Sequence, residues 1–432
     1  MSAGLCYRNN ALARTDTPTP PPSAANARPS SGPLAGLKVL ELGQLIAGPF
    51  AGKTLADFGA EVIKIEPPAT ATSEGGDPLR KWRLLHNGTS LWWQVQSRNK
   101  QSVVLDLRTD AGRGYARQLT AKADVLIENF KPGTLEKWGL GYDTLAVDNP
   151  GLVMLRISGY GQTGPYRDLP GFAVVAEAMG GLRHLMGEPG RVPVRAGISL
   201  GDTLAALHGV IGVLLALQAR ASSISADAPK GRGQVVDVAL YEAVFNCMES
   251  MLPEYSALGV VRQPAGSALP GIAPSNAYRC ADGQVVIGGN GDSIFKRLMQ
   301  AIARDDLALD PGLGDNAQRA VRVDELDAAI TAWTVQRAVA EVVATLQAVS
   351  VPVGRIYTVA DLAADPHYLA RGMIEHLTTA DGLRLAVPGI VPKLSATPGA
   401  IRSAAPTLGQ HTALVLGALR RRALRREPGS PR

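Results

Sequence analysis

The stretch Gly36-Leu-Lys-Val-Leu-Glu-Leu-Gly-Gln-Leu-Ile-Ala-Gly-Pro-Phe-Ala-Gly-Lys-Thr-Leu-Ala-Asp-Phe-Gly-Ala-Glu-Val-Ile-Lys-Ile-Glu-Pro67 decides the fold. Apolar residues crowd Leu37–Leu42, and Glu61–Glu66 alternates as a strand does. Between them Gly43–Pro49 reads as a loop and Phe50–Phe58 as a helix. Strand, helix, strand in that order predicts a parallel sheet with right-handed crossovers.

Working outward, Ser102–Leu107, Ala123–Ile127 and Gly151–Ile157 are expected as further strands, with a helix over Asp110–Leu119. The sum is an α/β fold with a Rossmann-like half over about residues 34–160. Thr203–Arg220 is rich in Ala, Gly and Leu and predicts a central helix. Gln284–Gly289 (strand), Ser293–Ile302 and Asp324–Val343 (helices) predict a smaller α+β domain. The expected organisation is a disordered lead over 1–32, a large Rossmann-like domain over 33–225, a linker over 226–259 and a small domain over 260–365. A return to the large domain follows over 366–419, then a basic disordered tail over 420–432.

The total charge is +6, which invites a nucleic-acid partner until the charge is located. The first 32 residues carry +2 and the tail from Arg420 carries +5, which leaves the body at −1. A basic footprint on the folded body is therefore not expected, and neither is DNA or RNA as a partner. Cys6, Cys247 and Cys280 form no Cys-x-x-Cys pair, and the histidines form no His-x-x-x-His pair. This predicts no disulfide framework, no metal and a reducing, cytoplasmic setting, with an organelle matrix left open. The first 30 residues lack an apolar run, and Thr17–Pro22 would break an amphipathic transit helix. The longest apolar stretch, Leu204–Leu217, reads as a buried helix too short to span a bilayer, so no membrane partner is expected.

Gly43 and Gly48 follow a strand and open a helix, with Glu66 closing the next strand. The spacing is G-x-x-x-x-G rather than G-x-G-x-x-G, so a nicotinamide site is disfavoured. Asp202, in Gly201-Asp-Thr-Leu-Ala-Ala206, stands where a helix should start, and the local pattern favours a capping carboxylate. Capping and nucleophilic roles can coexist, because helix-terminal N–H groups stabilise the anion.

Seven stretches, in order, resemble the family III CoA-transferases, which include formyl-CoA:oxalate CoA-transferase, the carnitine and bile-acid CoA-transferases and α-methylacyl-CoA racemase. They are Leu37-Lys-Val-Leu-Glu-Leu42, Ala47-Gly-Pro49, Asp57–Glu66, Asn99–Leu107, Ala123–Gly133, Gly159–Pro165 and Gly231–Asp237. The resemblance covers about Pro33 to Thr412. It implies two domains, an interlocked homodimer, acyl-CoA and a carboxylic acid as substrates, and Asp202 in the Gly-Asp step as catalytic nucleophile. By the same resemblance Leu45, Ile46, Leu105, Arg108, Asn129, Phe130 and Lys137 fall at coenzyme A-contacting positions. The basic residue that relatives carry after Ile65-Glu66 is replaced by Pro67.

Two departures narrow the expectation. The racemase branch carries a Gly-His-Asp step where this chain has Gly171-Phe172-Ala173, so the partner base for α-proton exchange is missing. Ile46 stands where formyl-CoA transferase has glutamine, an apolar wall that disfavours oxalate. Glu177 is left open between assisting the chemistry and a surface charge. Arg183 and Arg191 are candidates for the far carboxylate of a dicarboxylic acid, against solvent exposure. Pro270–Pro274 is the nearest candidate for a site-covering loop. The expected activity is CoA transfer involving a short, succinyl-like dicarboxylic acid; the alternatives are a 2-methylacyl-CoA racemase and a non-catalytic CoA-binding protein.

Overall fold

The structure is a computed structural model that describes residues 32–424. The expected lead over 1–31 and the tail residues 425–432 lie outside the described residues. Six strands form one parallel sheet: β1 Lys38–Glu41, β2 Glu61–Glu66, β3 Lys100–Val104, β4 Val125–Glu128, β5 Val153–Ser158 and β6 Val235–Ala239. Their order is β3-β2-β1-β4-β5-β6. Leu40 of β1 registers with Ile63 on one side and with Leu126 on the other. The order runs outward from β1 in both directions, the doubly wound arrangement of dinucleotide-binding folds. The α/β reading of the sequence therefore holds.

Some boundaries move, for physical reasons. Helix α1 covers Ala47–Asp57 and starts before the expected Phe50. Pro49 is no obstacle there, because the first turn of a helix has no use for its N–H. Strand β3 begins at Lys100 rather than Ser102, since the Lys100 amine is buried against the Glu41 carboxylate at 2.7 Å. The Lys100 charge therefore lies inside the sheet. Strand β6 falls within the stretch expected as a linker, 226–259. Its Asp237 accepts the Gln162 N–H at 3.0 Å, and its other residues, Val235, Val236, Val238 and Ala239, are apolar.

Helix α2 covers Asp110–Thr120, as expected to within a residue. Helix α3 covers Ala173–Met179, α4 Leu200–Ser222 and α5 Leu240–Phe245. The apolar run expected to be too short for a bilayer thus belongs to a 23-residue helix that is long and apolar enough to cross one. One face of α4 is nevertheless buried in the protein, through Ala205, Ala206, Gly209, Val210, Val213 and Ala216. A Cβ on Gly209 would meet the Leu155 side chain at 2.9 Å, so glycine sets how closely α4 lies on β5. The opposite face carries Leu207, Ile211, Leu214 and Leu215 outward.

A second unit holds the antiparallel strands β7 Ser275–Arg279, β8 Gln284–Gly288 and β9 Val353–Arg355, in the order β9-β8-β7. It has its own core around Val285, Ile287, Phe295, Leu298 and Ile330. The single helix expected over Asp324–Val343 is two, Val323–Thr334 and Val339–Ala348. The chain then returns to the large sheet, where the Ala400 N–H donates to Asp57 and the His411 N–H to Ser102. The last helix, Thr412–Leu424, runs past Arg420, so the expected disordered tail is helical over its first residues.

Candidate active site

In a sheet wound outward from β1, the loops leaving β1 and β4 part in opposite directions and open a crevice at the carboxyl edge. Gly43–Ile46 leaves β1, and Asn129 and Phe130 leave β4. The Asn129 side chain bridges the two: Oδ1 accepts the Gln44 N–H at 2.7 Å, and Nδ2 donates to the Gln44 carbonyl at 2.8 Å. Leu45 holds φ at +63°, a conformation that strains a residue with a branched side chain. The strain is held by hydrogen bonding, as the Leu45 N–H donates to Asp77 Oδ1 at 3.0 Å.

Beneath the loop lies a buried set of charges. The Lys64 amine, 1% exposed, sits 2.9 Å from Glu41 and 2.8 Å from Asp77, and donates to the Gly43 carbonyl at 2.6 Å. The Lys100 amine donates to the Pro49 carbonyl at 2.7 Å. Burial pulls the Lys64 pKa down, but Asp77 and Glu41 outweigh it and hold the amine above its ordinary range. Burial lowers Lys100 to about 8, with Glu41 opposing the shift. Two lysines against two carboxylates keep the cluster neutral, the condition for burying charge at all. On the other wall, Arg156 of β5 joins Glu128 at 2.7 Å and Glu136 at 2.7 Å. Glu128 also accepts the Phe130 N–H at 2.7 Å.

A cavity of about 300 Å³ opens between these walls, lined by Ile46, Asn129, Phe130, Phe172, Arg195 and Asp202 among others. It shares Ile46, Trp82, Arg195 and Ser199 with an adjoining cavity of about 680 Å³, whose walls include Phe50, Leu84, Trp92 and Ile198. Asp202 is the third residue of α4. The predicted cap is not made: Ser199 is the N-cap position and contributes no side-chain bond. The Asp202 carboxylate makes no hydrogen bond among the described residues and faces the cavity. Burial pushes it up to about 6 from an ordinary 3.8; the Glu177 charge adds to the rise and Arg195 pulls against it.

Glu177 is 2% exposed and is no surface charge. Its Oε1 accepts the Gly201 N–H at 3.4 Å, and its Oε2 lies 3.1 Å from Arg183 and 3.6 Å from Arg195. It therefore braces α3 against the start of α4, one residue before Asp202. Arg183, a candidate for substrate carboxylate, is engaged by Glu177; Arg191 is exposed and lines neither cavity.

Of the other expected positions, Leu45, Ile46, Asn129 and Phe130 meet Asp202 around one cavity. Leu105 is buried in the core beside Leu42 and Leu135. Arg108 is turned to solvent and paired with Asp106 at 2.8 Å, and Lys137 is exposed on the short helix Thr134–Lys137. Neither reaches the cavity. The Pro270–Pro274 loop does not line it either. Phe172 and Ala173 border it beside Asp202. Arg195 and the Trp82–Trp92 wall were missed. Arg195 stands seven residues before Asp202, but nothing local separates it from the neighbouring arginines.

The description of CoA-transferase family III matches residues 34–412. The chain belongs to CoA-transferase family III. It is 48% identical to a succinyl-CoA–D-citramalate CoA-transferase of Chloroflexus aurantiacus, over 88% of this chain and 92% of that one. A succinyl-CoA–L-malate CoA-transferase alpha subunit of the same organism is 40% identical over 92% of each. A succinate–glutarate CoA-transferase of Agrobacterium fabrum is 33% identical over 90% and 96%. Among solved structures, a CAIB/BAIF family protein from Brucella suis superposes with a TM-score of 0.78 at 35% identity, covering 90% of this chain and all of that one. Membership makes this CoA-transferase family III chain an enzyme that acts on CoA thioesters.

Proposed function

We propose that this enzyme moves coenzyme A from succinyl-CoA to a short dicarboxylic acid through covalent intermediates on Asp202. The observation that carries the reading is the Asp202 carboxylate: free of hydrogen bonds among the described residues, at the start of a helix, facing a cavity beside the sheet's crevice. The relatives' names supply the succinyl donor and the dicarboxylic acceptor class. The crevice walls Leu45, Ile46, Asn129 and Phe130 are proposed to hold the CoA arm. The exposed Arg108 and Lys137 are proposed as contacts for the nucleotide end, and Leu105, buried in the core, is not.

The steps follow from the chemistry of a carboxylate nucleophile. An Asp202 oxygen attacks the thioester carbonyl, the C–S bond breaks, and CoA thiolate leaves a mixed anhydride. The thiolate attacks the Asp202 carbonyl, releasing the donor acid and forming an aspartyl-CoA thioester. The acceptor carboxylate attacks that thioester, displacing the thiolate and forming a second anhydride. The thiolate then attacks the acceptor's carbonyl, giving the new acyl-CoA and restoring Asp202. Dividing one exchange into steps of similar difficulty is the gain from covalent catalysis. The start of α4 contributes the positive end of its dipole to each oxyanion.

We also propose a homodimer, in which a second copy covers the outward apolar face of α4. Leu207, Ile211, Leu214 and Leu215 are 41%, 54%, 42% and 66% exposed there, a run of apolar side chains on one helix face that a second copy would cover. The unpaired Cys247 and Cys280 fit a cytoplasmic setting. Incubation with succinyl-CoA and hydroxylamine, followed by peptide mass spectrometry, tests the mechanism. A hydroxamate on Asp202 is expected; an Asp202→Asn enzyme that still transfers CoA at a comparable rate refutes it.

A further inference from the structure

Arg83 and Arg195 are the cations lining the two joined cavities, and Arg195 alone borders both. Arg83 lies over the Trp92 ring at 5.9 Å, away from Asp202's cavity. Arg195 is held loosely: its Nε stands 3.6 Å from Glu177 Oε2, beyond hydrogen-bond length, and the side chain is 39% exposed. The same Glu177 oxygen is already taken at 3.1 Å by Arg183. Glu177 therefore has a firm partner in Arg183 and a second, displaceable one in Arg195. The remaining walls of both cavities are mostly apolar and offer an anion no other cation near Asp202.

We infer that Arg195 binds the second carboxylate of the dicarboxylic acid, leaving its loose pair with Glu177 to do so. This rests on the reading of Asp202's cavity as the CoA-transfer site. A guanidinium presents paired N–H donors that match a carboxylate, and such charge-assisted bonds are stronger than neutral ones. Glu177 keeps the empty site from holding an uncompensated cation and, through Arg183 and the Gly201 N–H, remains neutralised when Arg195 moves. The acid is thereby read at both ends, one carboxylate at Asp202 and the other at Arg195.

The test compares succinate with butyrate, which lacks only the second carboxylate, as CoA acceptors at pH 8, where Asp202 is ionised. In Arg195→Gln the ratio of kcat/KM for succinate over butyrate is expected to fall about tenfold or more, mainly through the KM of succinate. Arg195→Lys, with the charge kept, is expected to recover part of the ratio. An unchanged ratio, with both acids slowed equally, overturns the inference and makes Arg195 a partner of Asp202 instead. A wild-type chain that transfers CoA to neither acid refutes the reading of the site itself, and the inference with it. Thermal denaturation of both variants separates a folding defect from either result.

Discussion

Replacing Asp202 by asparagine removes a charge and keeps the shape. The carboxyl is held at about 6 against an ordinary 3.8, first by burial and then by the Glu177 charge. Such a shift penalises the folded state by about 3 kcal/mol once the group is ionised in both states. Partial access of water reduces this to about 1–2 kcal/mol. Below pH 4 the group is protonated whether folded or unfolded, and the pH does not bear on stability. Between 4 and 6 the unfolded chain gives up the proton and the folded chain keeps it, so stability falls as pH rises. Above 6 the penalty is complete. Asp202→Asn is therefore expected to be more stable than the parent at pH 8, with a melting midpoint higher by about 1–2 °C. The gain should vanish as pH falls towards 4, and transferase activity should be lost while CoA still binds. Differential scanning calorimetry across that range checks it. Equal stabilisation at pH 4 and pH 8, or destabilisation at pH 8, would refute the electrostatic account of this site.

Glu177→Gln removes the second cause of the Asp202 shift, so the acidic limb of the acyl-transfer rate should move down from about 6 by roughly half a pH unit or more; a pH profile of hydroxylamine trapping reads it directly. Lys64→Met leaves Glu41 and Asp77 buried without the amine between them, and should lower stability by about 3–5 kcal/mol in urea denaturation. Asn129→Ala removes both bonds to the Gln44 peptide and should raise the KM for acyl-CoA about tenfold, with a smaller change in kcat. Ile211→Glu places a charge on the exposed face of α4 and should shift sedimentation towards monomer if a second copy covers it.

The alternation from Leu37 to Glu66 was enough to read a parallel α/β sheet, because side-chain periodicity is a local property of the chain. The ordered motifs were enough to read the family, and Gly201-Asp202 pointed to one carboxylate among many. Lys100 and β6 were harder to read. A strand is recognised by its apolar residues, whereas Lys100 owes its burial to Glu41, far along the chain, and β6 owes its place to pairing with β5. The site's electrostatics belong to the tertiary structure alone. Arg183, Arg191 and Arg195 are alike as sequence, each a cation in a polar stretch. Packing of α3 against the start of α4 buries Glu177, occupies Arg183, leaves Arg191 in water and sets Arg195 at the cavity beside Asp202. Burial and the distances between charges decide which of them can act, and neither is a property of residues read in order.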